Sequence, residues 1–291
     1  MGSPTMSLRW PLGDTGVMVD RYPPLPHERV RFEVMRMWWR DLLFIHFAYP
    51  PEVVQALLPA DLTVDTWPDT DGNEQAWVAL VPFEMVVGTP GGLKLPLVGT
   101  FPETNVRTYV RATDGTPGVW FCSLEAGGLA ASLTARAFYG LPYYWADMSI
   151  DAGPRDTDGV WRYDSTRRWP RRRTSDGALP SHHSVVRIGE PIAEDAVSDF
   201  EHFLTARWGL YSRFPSADAD RAATLYAPVE HGRWPLFRAE LLELDDQLLD
   251  AGGLPAPEGE PIVHWTPGTE VRIGRPRRAS RAGIRQPSSV P

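Results

Sequence analysis

The sequence predicts a β-dominated α+β domain, closed or nearly closed, with two or three helices packed outside it. The 29 prolines and 25 glycines among 291 residues interrupt the chain at short intervals, which favours many short strands and turns over long helices. Several segments also alternate between apolar and polar residues, the two-residue period of a strand. No internal repeat and no shift in composition divides the chain, so we expect a single domain over residues 31–275.

The clearest strand covers residues 103–112, where Thr104, Val106 and Val110 alternate with larger polar side chains. The Asp114–Gly115 dipeptide that follows is typical of a hairpin turn, and residues 119–124 form the returning strand. Similar patterns predict further strands at 43–48, 62–67, 75–87, 143–152, 159–165, 181–188, 223–229, 236–244 and 261–273.

Helices are predicted at 52–58, 128–138 and 195–208. Pro51 and Glu52 suit the first turn of the first helix, because proline lacks the N–H that would be unsatisfied there and a carboxylate favours the positive helix end. The polar, proline-rich residues 1–30 are interpreted as a flexible N-terminal arm. The arginine-, serine- and proline-rich residues 276–291 are interpreted as a disordered tail.

Charge and composition argue against several function classes. The net charge of −8 does not suit a nucleic-acid-binding protein, which would present a basic face. One basic run, residues 167–173, is interpreted as a solvated loop in preference to an anion-binding patch. No segment reaches the ~18 apolar residues of a membrane span and the N-terminus lacks the apolar core of a signal peptide, so we expect no membrane association and a cytoplasmic location.

Templates for metal and cofactor sites are also missing from the sequence. Cys122 is the single cysteine, which excludes an intrachain disulfide and a cysteine-based zinc site and favours a buried, inert thiol. The seven histidines are scattered, and His182 and His183 would point to opposite faces of a strand. The sequence contains no G-x-S-x-G motif and no glycine loop that could hold a phosphate or dinucleotide. We therefore expect neither a metal nor a cofactor.

The strongest polar feature is one face of the predicted strand 103–112. It carries Glu103, Asn105, Arg107, Tyr109 and Arg111. Alternation alone favours an antiparallel strand with this face in water. The functional alternative is a strand that lines a wet internal cavity, where a carboxyl acts as acid or base and an arginine binds a carboxylate.

Several segments, taken in order, resemble the uncharacterised YqjF-like family of the acetoacetate decarboxylase-like superfamily. They are F-A-Y-P-P-E-V-V-Q-A-L-L-P-A-D-L (47–62), A-W-V-A-L-V-P-F-E-M (76–85), F-P-E-T-N-V-R-T-Y-V (101–110), G-V-W-F-C-S-L (118–124), A-R-A-F-Y-G-L-P-Y-Y-W-A (135–146) and F-L-T-A-R-W-G-L-Y (203–211). The resemblance extends over residues 35–275. It implies a cone-shaped, closed β-barrel with an internal cavity and two or three flanking helices.

The same resemblance locates a candidate site and argues against the superfamily's known reaction. The decarboxylases carry P-K-K, whose first lysine forms a Schiff base, where this chain has Pro142–Tyr143–Tyr144. A phenol cannot form an imine, and the single lysine, Lys94, lies in a different loop. The acidic residue of the decarboxylases' second element is matched by Glu103.

Three functions are consistent with these residues. In the first, an enzyme performs imine-free enolate-type or decarboxylase-like chemistry on a small carboxylate or carbonyl compound. Glu103 and Tyr143 are its catalytic candidates, while Arg107, Asn105, Tyr109, Tyr144 and Arg111 are its substrate-binding candidates. In the second, the cavity binds a small molecule without catalysis. In the third, the protein is an interaction scaffold in which Glu103 pairs with Arg107. A homo-oligomer is left open.

Overall fold

The computed structural model describes residues 22–23, 25–26, 29–93, 99–128, 140–152, 159–171, 173–214 and 223–279. In this part of the chain, strands dominate and the helices are short. The predicted β-dominated α+β class is therefore confirmed. The predicted helix 128–138, apart from Gly128, and Lys94 lie outside the described residues. Within the described ranges, no helix is both long and apolar enough to cross a membrane.

The described strands all belong to one sheet. They are β1 (Glu33–Tyr49), β2 (Leu62–Val64), β3 (Thr66–Pro68), β4 (Glu74–Gly88), β5 (Thr100–Ala112), β6 (Pro117–Ala126), β7 (Tyr143–Ala152), β8 (Val160–Trp169), β9 (Ser181–Pro191), β10 (Gly209–Arg213), β11 (Thr224–His231), β12 (Phe237–Asp246), β13 (Ile262–Gly274) and β14 (Arg277–Arg278). The helices are α1 (Pro51–Gln55), a 3₁₀ turn (Glu194–Ala196), α2 (Asp199–Thr205) and α3 (Leu248–Ala251).

The sheet closes on itself along two circuits that share one wall. Its strand order is β14-β11-β10-β6-β7-β8-β9-β12-β13-β1-β4-β5-β2, and additional pairings join β5 to β6 and β11 to β13. One circuit runs through β7, β8, β9 and β12, and the other through β10 and β11. Both use β13, β1, β4, β5 and β6, which we call the shared wall.

Apolar side chains pack against both faces of the shared wall. On β1, Ile45 belongs to one core cluster and Phe44 to another. On β4, Leu80 belongs to the same cluster as Ile45, and Val81 to the same cluster as Phe44. Successive strand residues point to opposite faces, so a wall covered on both sides needs nearly continuous apolar sequence.

This packing overturns the favoured interpretation of strand 103–112. Both faces of β5 are buried from Glu103 to Val110, so neither faces water. The strand lies in the shared wall, between β4 and β6. Its polar face points towards the cluster that contains Phe83, because Phe83 is paired with Glu103 in register.

Several predicted elements differ in extent. The strand predicted at 43–48 begins ten residues earlier, as part of the long strand β1 (Glu33–Tyr49). The helix predicted at 195–208 is limited to α2, since Ser198 and Glu201 form a capping box at its start and the chain then continues into β10. The strand predicted at 62–67 is divided into β2 and β3. Neither β10 nor α3 was predicted.

Candidate functional site

Glu103 is the buried carboxyl around which the candidate site is built. Only 3% of its surface is exposed, and its Oε2 accepts a hydrogen bond of 2.9 Å from the Tyr143 hydroxyl. Burial raises the pKa of Glu103 to about 8, although hydrogen bonds from Tyr143 and Asn105 oppose that rise and the charge of Glu125 adds to it. At neutral pH this carboxyl is therefore mostly protonated, yet it ionises within reach of that pH.

The turn before β7 positions Tyr143. Gly140 adopts a φ of 61°, and an added Cβ would lie 3.0 Å from the backbone of Arg213, so glycine is required there. From this turn β7 runs parallel to β6, which itself pairs with β5 next to Glu103. Burial and the neighbouring Glu103 raise the pKa of Tyr143 well above its usual value. The phenol is thus a hydrogen-bond donor and not a base.

The remaining polar residues of β5 diverge towards other elements. Asn105 contacts Glu103. Arg107, 5% exposed, bonds to Tyr109, whose hydroxyl lies 2.7 Å from His46 Nε2 and donates to the Leu204 carbonyl. The structure therefore brings Glu103, Asn105 and Tyr143 together and places Arg107 and Tyr109 further along the same face.

Arg111 lies at the far end of β5, away from Glu103. Its Nε donates to Asp65 Oδ1 at 2.8 Å, and its other nitrogens donate to Tyr22 and to the Gly115 carbonyl. A quarter of the Arg111 side chain is exposed. These contacts assign Arg111 a role in fixing the strand end, while its predicted contact with substrate stays a prediction.

On β7, the Tyr144 side chain points to the opposite face from that of Tyr143. Its ring lies 3.6 Å from the guanidinium carbon of Arg167. Arg167 and Glu125 are both fully buried and form an ion pair, with Arg167 Nε 2.9 Å from Glu125 Oε1 and Nη2 2.9 Å from Ser123 Oγ. The two tyrosines thus contact different polar groups.

This ion pair corrects the interpretation of the basic run 167–173. Only part of the run is solvated. Near the end of β8, the side chain of Arg167 points inwards and is buried, whereas that of Arg168 is exposed. Sequence reasoning missed Arg167 and Glu125. The signal was present in β8, where Trp161, Tyr163, Ser165 and Arg167 repeat at the two-residue period of a buried face.

Beside the Tyr144 side of β7 lies an open cleft of about 530 Å³. Its lining includes Pro142, Tyr144, Phe121 and Cys122. Cys122 is half-buried and not fully buried as predicted. Desolvation nevertheless raises the pKa of its thiol to about 12, so the thiol is protonated at neutral pH. In the described ranges, no cluster of three or more histidine, cysteine, aspartate or glutamate side chains could hold a metal ion.

Comparison with known proteins shows the family and the fold. The model of the DUF2071 family, described as an uncharacterized conserved protein, matches residues 36–270. The uncharacterized protein YqjF of Bacillus subtilis (strain 168) is 31% identical over 239 residues, 82% of this chain and 89% of YqjF.

Two solved structures share the fold. Acetoacetate decarboxylase from Legionella pneumophila has a TM-score of 0.57 at 14% identity, with 94% of this chain and 98% of that chain covered. The enduracididine biosynthesis enzyme MppR complexed with pyruvate has a TM-score of 0.54 at 14% identity, with 96% and 99% covered. At such low identity these structures establish a common fold alone. The family match and the similarity to YqjF agree with the resemblance seen in the sequence, and the chain therefore belongs to the DUF2071 family of uncharacterized conserved proteins.

Proposed function

We propose that Glu103 and Tyr143 form an acid–base centre for imine-free enolate-type chemistry on a small carboxylate or carbonyl compound. The observation that carries this proposal is the contact between a buried carboxyl with a pKa of about 8 and a phenol 2.9 Å away. Proton transfer is most efficient when the pKa of the transferring group lies near the working pH. A buried carboxyl without a cation beside it is costly to stability, which favours a functional reason for its presence.

The chemistry would begin with the ionised form of Glu103. Its carboxylate takes a proton from the carbon next to the substrate carbonyl, and the electron pair of that C–H bond moves onto the carbonyl oxygen. The Tyr143 hydroxyl turns from Glu103 to that oxygen and stabilises the enolate by a hydrogen bond. Loss of the Tyr143 bond removes an interaction that lowers the Glu103 pKa, so the base becomes stronger when substrate is bound.

The closed sheet supports this proposal. We infer that the closed sheet forms the cone-shaped barrel with an internal cavity that the resemblance implies. In that cavity, Asn105 would orient Glu103, while Arg107 and Tyr109 would bind the anionic end of a ligand. Tyr144, on the other face of β7, would instead contact a ligand in the open cleft that it lines. The solved structure of MppR with pyruvate suggests small keto acids as the first compounds to test.

Tyr143→Phe is expected to slow proton exchange by about 10²-fold, the usual effect of removing one hydrogen bond to a developing oxyanion. Exchange of the α-protons of pyruvate and other small keto acids in D₂O, followed by proton NMR, measures the proposed step directly. Tyr49→Phe is the matched control, because Tyr49 is a buried tyrosine whose hydroxyl donates to the Pro255 carbonyl and not to Glu103. Equal rates in both variants would contradict the role of Tyr143.

Borohydride reduction in the presence of pyruvate or acetoacetate is expected to leave no covalent adduct on the protein. Both positions matched to the decarboxylase lysines are tyrosine, and Lys94 is the single lysine of the chain. Mass spectrometry of the digested protein checks this result. A stable adduct on Lys94 would show that the reaction proceeds through an imine.

A second candidate function is non-catalytic binding of the same class of ligand. The replacement of the lysine pair by Tyr143 and Tyr144 favours it, because the superfamily's nucleophile is absent. Ligand-dependent thermal stabilisation without proton exchange would distinguish this function from catalysis. The scaffold interpretation finds less support, since no ion pair joins Glu103 to Arg107 among the described residues.

A further inference from the structure

Further along the polar face of β5, Arg107 lines a small cavity of about 30 Å³. Arg207, which lies between α2 and β10, lines the same cavity, as do Trp39, Thr205, His231 and Trp234. Arg107 and Arg207 are each 5% exposed. Two buried guanidinium groups therefore border a space large enough for one small ion or about two water molecules.

The positive charge at this cavity is only partly neutralised. Arg207 Nη1 lies 3.1 Å from Asp65 Oδ2, but Asp65 also pairs with Arg111. Among the described residues, no carboxylate pairs with Arg107. Burial lowers the pKa of Arg107, with a smaller contribution from Arg207, yet a guanidinium stays charged in proteins. A buried cation without a counter-charge is strongly disfavoured.

Hydrogen-bond donors at the cavity are also in excess. Four buried N–H groups of its lining residues have no partner in the described structure: Trp39 Nε1, Arg107 Nε, and Arg207 Nε and Nη2. A water molecule accepts about two hydrogen bonds, and it carries no charge. His231 adds no cation, because burial lowers its pKa to about 4. The unmet requirement is thus for a compact acceptor with negative charge.

We propose that this cavity binds one compact monovalent anion between Arg107 and Arg207. The anion is either a free halide or a single carboxylate group, and both match the volume, the charge and the excess of donors. Phe121 lines both this cavity and the open cleft beside Tyr144. The site lies further along β5 than Glu103 and does not require proton transfer there. A carboxylate bound to Arg107 would be the anionic end of the ligand described above, and that alternative rests on the proposed function.

The first experiment measures the thermal unfolding of the full chain in rising concentrations of sodium bromide or of sodium formate. Methanesulfonate, which is too large for the cavity, holds the ionic strength constant. We expect the Tm to rise by about 3 °C for each tenfold excess of anion over its Kd. A response to both anions indicates a general anion site, and a response to formate alone indicates a site for carboxylate groups. No response to either overturns the proposal.

Variants connect that response to the cavity. Arg107→Met should abolish the dependence of Tm on anion, whereas Arg162→Met, at an exposed arginine on β8, should retain it. Trp39→Phe removes one donor while keeping an aromatic ring, and it should weaken the dependence even if Arg107→Met does not fold. An unchanged dependence in Trp39→Phe and Arg107→Met would contradict the site.

Diffraction at the bromine absorption edge provides a direct view. Crystals grown with bromide should show an anomalous peak in contact with the Arg107 guanidinium, and a cavity that holds only water would contradict the proposal. Glu103→Gln should keep the dependence of Tm on anion. Failure of the acid–base centre and failure of the anion site can therefore be told apart.

Discussion

Arg167→Met is expected to lower the free energy of unfolding by about 3–5 kcal/mol, the usual cost of removing one partner from a buried ion pair. Both Arg167 and Glu125 are fully inaccessible, so the change leaves a carboxyl with no counter-charge. Burial already raises the pKa of Glu125, and Arg167 is the largest influence that lowers it. The loss of packing against the Tyr144 ring adds to the effect. Urea denaturation of the full chain measures it.

Two further variants make this expectation specific. Arg168→Met, one residue along, affects a pair in which both side chains are about half exposed, and it should cost less than about 1 kcal/mol. The double change Arg167→Met with Glu125→Leu should recover much of the loss, because replacing a whole buried pair by apolar groups is often nearly neutral. If Arg167→Met is no more harmful than Arg168→Met, the pair does not stabilise the fold.

The polar face of β5 shows how far the sequence could lead. Alternation over residues 103–112 is a local signal, and it predicted the strand and the residues that share a face. It could not predict that both faces are buried. That property depends on pairings between β5 and β6 and between β11 and β13, and the latter joins segments far apart in the sequence.

Contacts between residues far apart in the sequence could be predicted only where the resemblance pointed to both residues. Glu103 and Tyr143 were proposed from the resemblance, and the structure places them in contact. Arg167 was assigned to a solvated run because charged neighbours usually mark exposed segments. Its partner Glu125 lies 42 residues earlier, and nothing local connects the two. Arg207 was missed for a similar reason, since it follows α2 and only the fold brings it to Arg107.

The shared wall explains why the polar groups form separate sites. Tyr143 and Tyr144 are neighbours in sequence, but strand geometry directs them to opposite faces. One reaches Glu103 and the other reaches Arg167. The turn at Gly140 thus supplies two phenols to two different polar groups. For this reason, changes at Tyr143 and Tyr144 should have different consequences, the first for proton transfer and the second for stability.

Glu103→Gln is expected to reduce proton exchange on keto acids by about 10²–10⁴-fold, the range for loss of a general base. The introduced amide has nearly the same shape, and it can still accept a hydrogen bond from Tyr143. It can also donate one to Asn105 once that amide, which donates to Glu103 in the wild type, turns over to present its unpartnered Oδ1. The fold should therefore persist. Glu74→Gln, at an exposed position on β4, is the matched control and should leave the exchange rate unchanged.

The pH dependence of that variant distinguishes a functional carboxyl from a structural one. The folded pKa of Glu103, about 8, exceeds its ordinary value of 4.5, so the folded state binds more protons between these pH values and ionisation opposes folding. Wild-type stability should fall from about pH 4.5 to pH 8 relative to Glu103→Gln, while its exchange rate should rise to a plateau above about pH 8. If Glu103→Gln instead loses several kcal/mol of stability at neutral pH, Glu103 is a structural partner and the proposed acid–base role is wrong.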